Sequence, residues 1–205
     1  MIPAVVTFEE AAAISFGGIT ALHFLRDVGK VQTGERVLIN GASGAVGSAA
    51  VQLARHFGAH VTGVCSSANA GTVRALGADA VIDYKAADFA TRGARWDIIF
   101  DTVGNVSFER SRNALNKNGR LLLAGGGLGH LLKAPFQSMT SGLKVAGGPA
   151  PERAEDIVEL KRLCETGAYK PVIDSRFVFD RISQAHARVE SGRKVGSVIV
   201  TLRAP

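Results

Sequence analysis

A glycine-rich run at residues 41–47 carries the strongest chemical signal in the sequence. Gly44 and Gly47 have the spacing of the last two glycines in a G-x-G-x-x-G dinucleotide fingerprint, whereas Ala42 replaces the first. A missing side chain at Gly44 lets the backbone approach a pyrophosphate, and Gly47 lets the following helix pack closely. Because a helix N-terminus offers free N–H groups and the positive end of its dipole, the run predicts a phosphate site. Its members are Ser43, Gly44, Ala45, Val46 and Gly47.

The position about 20 residues further on indicates which nicotinamide cofactor is favoured. NAD-binding units carry an acid there, which accepts hydrogen bonds from the ribose 2′-hydroxyl. This chain has Cys65 at that position, followed by Ser66 and Ser67, and the next acid is Asp79. Hydroxyl groups, with Arg74 nearby, suit a 2′-phosphate, so the sequence favours NADP(H) over NAD(H). The same serines are also typical of a plain loop and helix cap, and both interpretations can hold together.

Alternating strands and helices must position this run. Residues 36–40 form a short β-branched stretch directly before it, and apolar residues at helical spacing follow it up to Gly58, a typical C-cap. Further strands are predicted at residues 60–65, 80–83, 97–101 and 120–124, with helices near 69–76 and 108–115. This alternation predicts an α/β fold, a doubly wound parallel sheet of the Rossmann type.

The two ends of the chain have weaker patterns. Thr7 and Glu10 form a capping box that opens a helix, which Gly17 and Gly18 are expected to interrupt. Residues 125–151 are rich in glycine and proline, with one possible strand at 143–146. Helices near 152–165 and 181–190 and strands near 176–179 and 197–202 predict a C-terminal α/β extension. We therefore divide the chain into a helical lead-in, a dinucleotide-binding core and a C-terminal segment, at residues 1–29, 30–150 and 151–205.

Composition excludes several classes of protein. Of 205 residues, 46% are hydrophobic and 20% are charged, which is ordinary globular usage, and no apolar run approaches the length of a membrane span. The first residues lack the basic n-region of a signal peptide. The net charge of +6 comes from scattered basic residues, so a mixed solvated surface is favoured over an anionic small ligand, and nucleic acid is third.

Cysteines and histidines give no metal-ligand pattern. Cys65 and Cys164 lie far apart, and no histidine pairs with Cys or Glu at ligand spacing. The five histidines are His23, His56, His60, His130 and His186. We expect no zinc site, and the low cysteine content favours a reducing compartment, the cytoplasm. No general-base cluster is evident, so the sequence identifies no catalytic residue.

Six motifs, in order along the chain, carry a family resemblance. They are Gly18-Ile19-Thr20-Ala21, Gly34-Glu35-Arg36-Val37-Leu38-Ile39, Gly41-Ala42-Ser43-Gly44-Ala45-Val46-Gly47, Leu76-Gly77-Ala78-Asp79, Val81-Ile82-Asp83-Tyr84 and Phe100-Asp101-Thr102-Val103-Gly104. Together they resemble the cofactor half of the medium-chain dehydrogenase/reductase superfamily, and most closely its zinc-independent, quinone-oxidoreductase-like branch. In that family the A-x-x-G-x-x-G form of the loop is usual, which explains Ala42.

The resemblance implies a role for each matching position. Thr20 would lie beside the nicotinamide, Ser43–Val46 around the pyrophosphate, and Ser66 with Ser67 at the 2′-phosphate. Tyr84 would lie against the adenosine end of the cofactor. Gly104 and Gly125 would line the nicotinamide ribose. Simpler interpretations remain open, with Thr20 as a helix-interior hydroxyl, Tyr84 as a strand-end aromatic and Asp101 as a turn acceptor.

The resemblance also implies an activity. Members carry a GroES-like domain ahead of these motifs, which supplies most of the substrate pocket, and this chain begins where that domain should have ended. We therefore expect the NADPH-binding part of an oxidoreductase that reduces a small quinone, enone or activated carbonyl, incomplete by itself as an enzyme. A homodimer that buries residues 143–146 is also expected. The alternatives are an enoyl-reductase module and a non-catalytic nucleotide-sensing or RNA-binding Rossmann protein.

Overall fold

The computed structural model describes residues 6–91, 93–125 and 128–202, and its centre is a six-stranded parallel sheet. The strands are β1 Arg36–Asn40, β2 His60–Cys65, β3 Ala80–Asp83, β4 Trp96–Asp101, β5 Leu115–Leu123 and β6 Lys144–Gly147. Their spatial order is β3-β2-β1-β4-β5-β6, so the winding reverses between β1 and β4. In such sheets a ligand crevice opens at the carboxyl ends of the strands beside that reversal. The expected doubly wound α/β fold is confirmed.

Helices flank both faces of the sheet, and a separate strand pair follows it. The helices are α1 Phe8–Leu22, α2 Ala45–His56, α3 Ala70–Ala75, α4 Phe108–Arg112, α5 Leu128–Ser141, α6 Ala154–Glu165 and α7 Ile182–Glu190. A π-helical turn, His23–Val28, continues α1, and 3-10 turns occupy Ser67–Asn69, Phe89–Thr91 and Phe179–Arg181. Strands β7 Ile173–Val178 and β8 Ser197–Thr201 pair in parallel as a second sheet. They form, with α7, the expected C-terminal α/β extension.

Alternating side chains of β1 fill two apolar layers, one on each face of the sheet. Val37 and Ile39 join the layer that includes α1, α2 and α6, whereas Leu38 joins the layer on the other face with Trp96 and Leu121. All five side chains are essentially removed from solvent. Strands buried on both faces read as continuous apolar runs, which is why these segments are so clear in the sequence.

Two of the local predictions are wrong. Gly17 and Gly18 do not interrupt the first helix, because α1 is continuous from the Thr7–Glu10 capping box to Leu22. Gly17 instead permits close packing on α2, since a Cβ there would lie 2.5 Å from the Ala45 carbonyl oxygen. Residues 128–141, expected to be irregular, form α5 even though Pro135 lies inside it. Within the described ranges, no helix is long and apolar enough to cross a bilayer.

Candidate functional site

The turn between β1 and α2 is anchored on the neighbouring strand. Gly41 has a φ of +81°, a left-handed conformation that favours glycine. The N–H groups of Gly41 and Ala42 both donate to the Val64 carbonyl of β2, at 3.1 and 3.0 Å. The Gly44 N–H closes the turn by donating to the Gly41 carbonyl at 3.0 Å. The turn is therefore rigidly held at the carboxyl edge of the sheet, beside the strand-order reversal.

The side chain at Ala42, where the fingerprint has its first glycine, is accommodated by the adjacent strand. Ala42 is completely buried beneath the turn. The residue of β2 that faces it is Gly63, and a Cβ at Gly63 would lie 3.0 Å from the Ala42 Cβ and 2.5 Å from Val73 Cγ1. Gly63 therefore leaves the room that the Ala42 methyl group occupies, so an alanine fits at the loop position where the fingerprint has a glycine.

Gly44 and Gly47 lack side chains for different reasons. A Cβ on Gly47 would lie 2.7 Å from the Gly41 carbonyl carbon and 2.8 Å from the Ala42 Cα, so α2 could not begin where it does. A Cβ on Gly44 would meet one atom within 4 Å, the Gly41 oxygen at 3.4 Å, which is ordinary contact. Gly47 is therefore required by the fold, whereas the space beside Gly44 is open to a ligand.

The N-terminus of α2 presents unpaired donors to that open space. Gly44 is the N-cap, with no side-chain cap, and the first turn contains no acid. The N–H groups of Ala45, Val46 and Gly47 precede the first intrahelical donor, which is the N–H of Ser48 bonded to Gly44 at 2.8 Å. Three backbone donors and the positive end of a twelve-residue helix converge there, an arrangement suited to a phosphate.

At the end of β2 the residue that faces solvent is Ser66 rather than Cys65. The Cys65 side chain is 3% exposed, and burial raises the pKa of its thiol. Ser66 is half-buried and Ser67 is exposed, and neither hydroxyl bonds to a described residue. Asn69 joins this segment to the glycine loop, because its Nδ2 donates to Ser43 Oγ at 3.0 Å.

Arg74 and Tyr84 border the same region. Arg74 is exposed on α3 and lies near enough to Cys65 that its charge partly opposes the raised pKa of the thiol. Tyr84 follows β3, and its N–H donates to the Cys65 carbonyl at 3.3 Å while 59% of the residue is exposed. Arg74, on the helix after β2, and Tyr84, directly after β3, are therefore both close to the end of β2.

A buried carboxylate at the end of β4 organises the other side of the crevice. Asp101 is fully buried and accepts hydrogen bonds from Asn40 Nδ2 at 2.8 Å and from the backbone N–H groups of Val103, Gly104 and Val106 at 3.0, 3.2 and 3.1 Å. Its oxygens are committed to the loop after β4. Asp101 thus acts as the turn acceptor considered in the sequence analysis.

The backbones of Gly104 and Gly125 are in close contact at this edge. A Cβ on Gly125 would lie 2.7 Å from both the Gly104 nitrogen and the Val103 carbonyl carbon. Gly104 has a φ of +87° and has the Gly125 carbonyl directly against it. Gly125 faces the crevice cavity, and Gly104 lies behind it.

A cavity of about 750 Å³ opens where these elements meet. One wall comes from the crevice itself, with Val46, Thr102, Ala124 and Gly125. The other is formed by α1 and the start of α6, with Phe16, Ile19, Thr20, Glu152, Arg153 and Ile157 among its residues. The Thr20 hydroxyl donates to the Phe16 carbonyl at 2.7 Å, and its oxygen can at the same time accept a hydrogen bond from a ligand.

The segment before β8 also reaches the glycine loop, which the sequence did not reveal. The Gly196 N–H donates to the Ser43 carbonyl at 2.8 Å, and Gly196 forms a bridge with Gly44. Lys194 donates from Nζ to the Gly196 carbonyl at 2.8 Å, and burial lowers the pKa of this amine, partly opposed by Asp174. These residues are 150 positions from the loop, and no local pattern marks them.

The structure thus brings most of the expected residues to one edge. Residues 43–47, Thr20 and Gly125 surround the crevice, and Ser66, Ser67, Arg74 and Tyr84 follow along the neighbouring strand ends. In the part of the chain that is described, no three His, Cys, Asp or Glu side chains are grouped as a metal site.

Three comparisons relate this chain to known proteins. Residues 76–200 match the family described as zinc-binding dehydrogenase. The chain is 32% identical over 232 residues to the mitochondrial NAD(P)H oxidoreductase RTN4IP1 of Bos taurus, covering 98% of this chain and 57% of that protein. The quinone oxidoreductase of Coxiella burnetii superposes with a TM-score of 0.90 at 25% identity, over 99% of this chain and 63% of that one. The mycobacterial protein Rv1454c, solved with NADPH, superposes with a TM-score of 0.81 at 26% identity, over 97% of this chain and 66% of that one. The chain therefore spans less than two thirds of each.

Proposed function

Because the chain belongs to the zinc-binding dehydrogenase family of the medium-chain dehydrogenase/reductase superfamily, we propose that it is the NADPH-binding part of an oxidoreductase. Its substrate would be a small quinone, enone or activated carbonyl. The observation that carries this proposal is the open N-terminus of α2, where three backbone donors surround the space beside Gly44. That space is what a pyrophosphate needs, because a side chain there would hold its oxygens away from the donors.

The nicotinamide end of the cofactor belongs, in this proposal, in the 750 Å³ cavity. When bound, NADPH supplies the hydride that reduces the acceptor. While the Thr20 hydroxyl donates to the Phe16 carbonyl, its oxygen can still accept a hydrogen bond, which matches the amide N–H of a carboxamide. Gly125 lines this wall with its backbone, and its missing side chain is required by the close packing against Val103 and Gly104.

The acceptor would occupy the remaining part of this cavity. Phe16 and Ile157 contribute apolar surface there, with 72% and 42% of each residue exposed. Arg153 and Glu152 add charge at the rim. An apolar wall with few polar groups suits a flat, weakly polar molecule such as a quinone or enone.

The choice of NADPH over NADH rests on the end of β2. Ser66 and Ser67 have uncommitted hydroxyls and Arg74 stands nearby. The nearest carboxylate, Asp83, belongs to the end of β3 beside Cys65 and accepts a hydrogen bond from the Lys85 N–H. A carboxylate would repel a 2′-phosphate, whereas hydroxyl and guanidinium groups donate to it. Calorimetric titration with each cofactor tests this. We expect NADPH to bind about tenfold to a few hundredfold more tightly, and equal affinities or an NADH preference would contradict the proposal.

We also propose a homodimer formed by α5 and β6, one of the two edge strands of the sheet. Met139 of α5 is 86% exposed, which supports an interface on that helix. Ser138 limits how the interface forms, because its Oγ accepts from the Val145 N–H at 2.9 Å, while its single proton is within reach of the Ala134 carbonyl at 2.9 Å and the Val145 carbonyl at 3.2 Å. The middle of the β6 edge is therefore already bonded, and contact through α5 side chains is favoured over continuous strand pairing.

Metal content and cellular location are also matters of proposal. We propose that no zinc is bound, since the two cysteines lie on separate elements, β2 and α6, and no described His, Asp or Glu side chains are grouped with them as a metal site. Elemental analysis should find well under one zinc per chain, and a stoichiometric amount would contradict this. The free thiols also support a reducing compartment such as the cytoplasm, which fractionation of the source cells would test.

A further inference from the structure

A second cavity lies on the opposite edge of the sheet from the crevice. It has a volume of about 320 Å³ and opens at the amino ends of β4, β5 and β6. Its lining residues are Arg95, Arg112, Asn113, Leu115, Asn116, Lys117, Ser141 and Leu143. Since ligands of doubly wound sheets bind at the carboxyl ends of the strands, the proposed cofactor site does not use this cavity.

Three cations surround this cavity without a balancing acid. Arg95 immediately precedes β4, Arg112 ends α4 and Lys117 lies in β5, and all three are exposed. No carboxylate is among the described lining residues. Arg112 and Lys117 form no ion pair or side-chain hydrogen bond in the described part of the chain, whereas many other arginines, such as Arg110 and Arg188, are paired with aspartates. Like charges held around one space repel each other, and an anion would relieve that repulsion.

The acids nearest in sequence form no ion pair with these cations in the described structure. Asp97 accepts hydrogen bonds from the Arg36 N–H at 2.8 Å and from Asn116 Nδ2 at 2.7 Å. Glu109 stands one turn before Arg112 on α4 but forms no ion pair with it in the described structure. No described carboxylate therefore forms an ion pair with the cations of the cavity.

The cavity is partly preorganised. Arg95 donates from Nη1 to the Leu115 carbonyl at 2.9 Å, which fixes its guanidinium at the rim and leaves its other donors free. Leu115 is 2% exposed and forms an apolar floor with Leu143. Ser141 is already bonded to Gln137 and Leu143, so the polar contacts must come from the cations and Asn113.

We propose that this cavity binds a small molecule carrying a phosphate group with at least two negative charges. Two guanidinium groups match phosphate oxygens through paired N–H donors, and Lys117 adds a point charge. The volume is at the small end of known ligand sites, enough for a phosphate ester or a short polyphosphate. This proposal is independent of the cofactor assignment, because the two sites lie on opposite edges of the sheet.

Amide-resolved NMR with inorganic pyrophosphate tests the proposal at low ionic strength. The full chain is labelled with nitrogen-15 and titrated, so that each backbone amide reports its own environment. We expect shifts at residues 113–117 and 141–143, in addition to any at the cofactor loop, residues 43–47. The double variant Arg112→Gln/Lys117→Gln should weaken binding at the first group about tenfold to a hundredfold and leave the loop response unchanged.

Arg181→Ala serves as the matched control, because Arg181 is exposed and unpaired among the described residues and lies outside every cavity described here. It should bind pyrophosphate like the unaltered chain. Shifts confined to residues 43–47, or equal losses in Arg181→Ala and the double variant, would overturn the proposal. Citrate binding as tightly as pyrophosphate would overturn the assignment to phosphate. Binding of a single-stranded RNA oligonucleotide without any response to pyrophosphate would indicate a nucleic-acid surface instead and would equally overturn it.

Discussion

Gly44→Ala and Gly47→Ala form a matched pair that separates cofactor binding from folding. Both add one methyl group to the same turn, three residues apart. At Gly44 the new Cβ would lie 3.4 Å from the Gly41 oxygen and project into the open space at the α2 N-terminus. At Gly47 it would lie 2.7 Å from the Gly41 carbonyl carbon, too close for any rearrangement short of moving α2.

The two changes should therefore have opposite signatures. Gly44 has φ −74° and ψ 178°, which alanine adopts freely, so Gly44→Ala should change the free energy of unfolding by less than about 1 kcal/mol. The methyl group would displace one or two charge-assisted hydrogen bonds between the loop and the cofactor phosphates, and would weaken NADPH binding about tenfold to a hundredfold. Gly47→Ala should lower the free energy of unfolding by about 1–3 kcal/mol or more, because the added methyl group overpacks the contact between α2 and the turn. Each kcal/mol lowers the Tm of a domain of this size by about 2–4 °C.

Thermal melts followed by circular dichroism, together with calorimetric NADPH titrations, measure both quantities. The expected result is a normal Tm with weak binding for Gly44→Ala, and a lowered Tm for Gly47→Ala. If Gly44→Ala bound NADPH as tightly as the unaltered chain, the phosphate would not lie beside Gly44. If Gly47→Ala melted normally, the close contact between α2 and the turn would be misassigned.

Three further changes test other parts of the molecule. Ser66→Asp should reduce or reverse the NADPH preference, measured by titration with both cofactors, and an unchanged preference would mean that the 2′-phosphate lies elsewhere. Asp174→Asn should lower the free energy of unfolding, measured in urea at neutral pH, by about 1.5–3 kcal/mol. The reason is that the hydrogen bonds from the Arg188 side chain, opposed by burial, hold the pKa of Asp174 well below its usual range. The stabilisation that comes with a lowered carboxyl pKa is complete above the pKa of the unfolded chain, about 3.9, and disappears as the pH falls through the pKa of the folded protein. The difference in unfolding free energy between the variant and the unaltered chain should therefore shrink in acid. A difference that stays constant with pH would contradict this. Met139→Glu should dissociate the dimer, as measured by light scattering, because it places a charge on the 86% exposed position of α5, and an unchanged mass would contradict the proposed interface.

Strands were predictable where burial and local propensity agree. Residues 36–40, 60–65 and 80–83 coincide with β1, β2 and β3, because short β-branched runs buried on both faces end sharply at turns. Helix α5 was not predictable, because glycines and Pro135 argue against a helix there. Tertiary packing supports that helix instead: Ala134 is 6% exposed in the core, and Ser138 bonds to β6.

The site was predictable to the extent that it follows from one strand–turn–helix unit. Counting residues located the end of β2 correctly, with Cys65 at the position of the acid, but it did not show that Cys65 is buried while the next residue, Ser66, meets solvent. The contact of Gly196 with Ser43 joins segments that share no local pattern. Contacts of this kind depend on how the completed sheet packs, which hydrophobic periodicity does not encode.

The hydrogen bond from Gly196 to Ser43 makes one amide near the end of the chain a reporter on the glycine loop. That amide can exchange its hydrogen with water only when the bond to the loop opens. A ligand that holds residues 43–47 closed would slow this exchange by the same factor by which it suppresses the opening. Deuterium uptake at Gly196 therefore measures the motion of a turn 150 residues earlier in the sequence, without a probe in the turn itself.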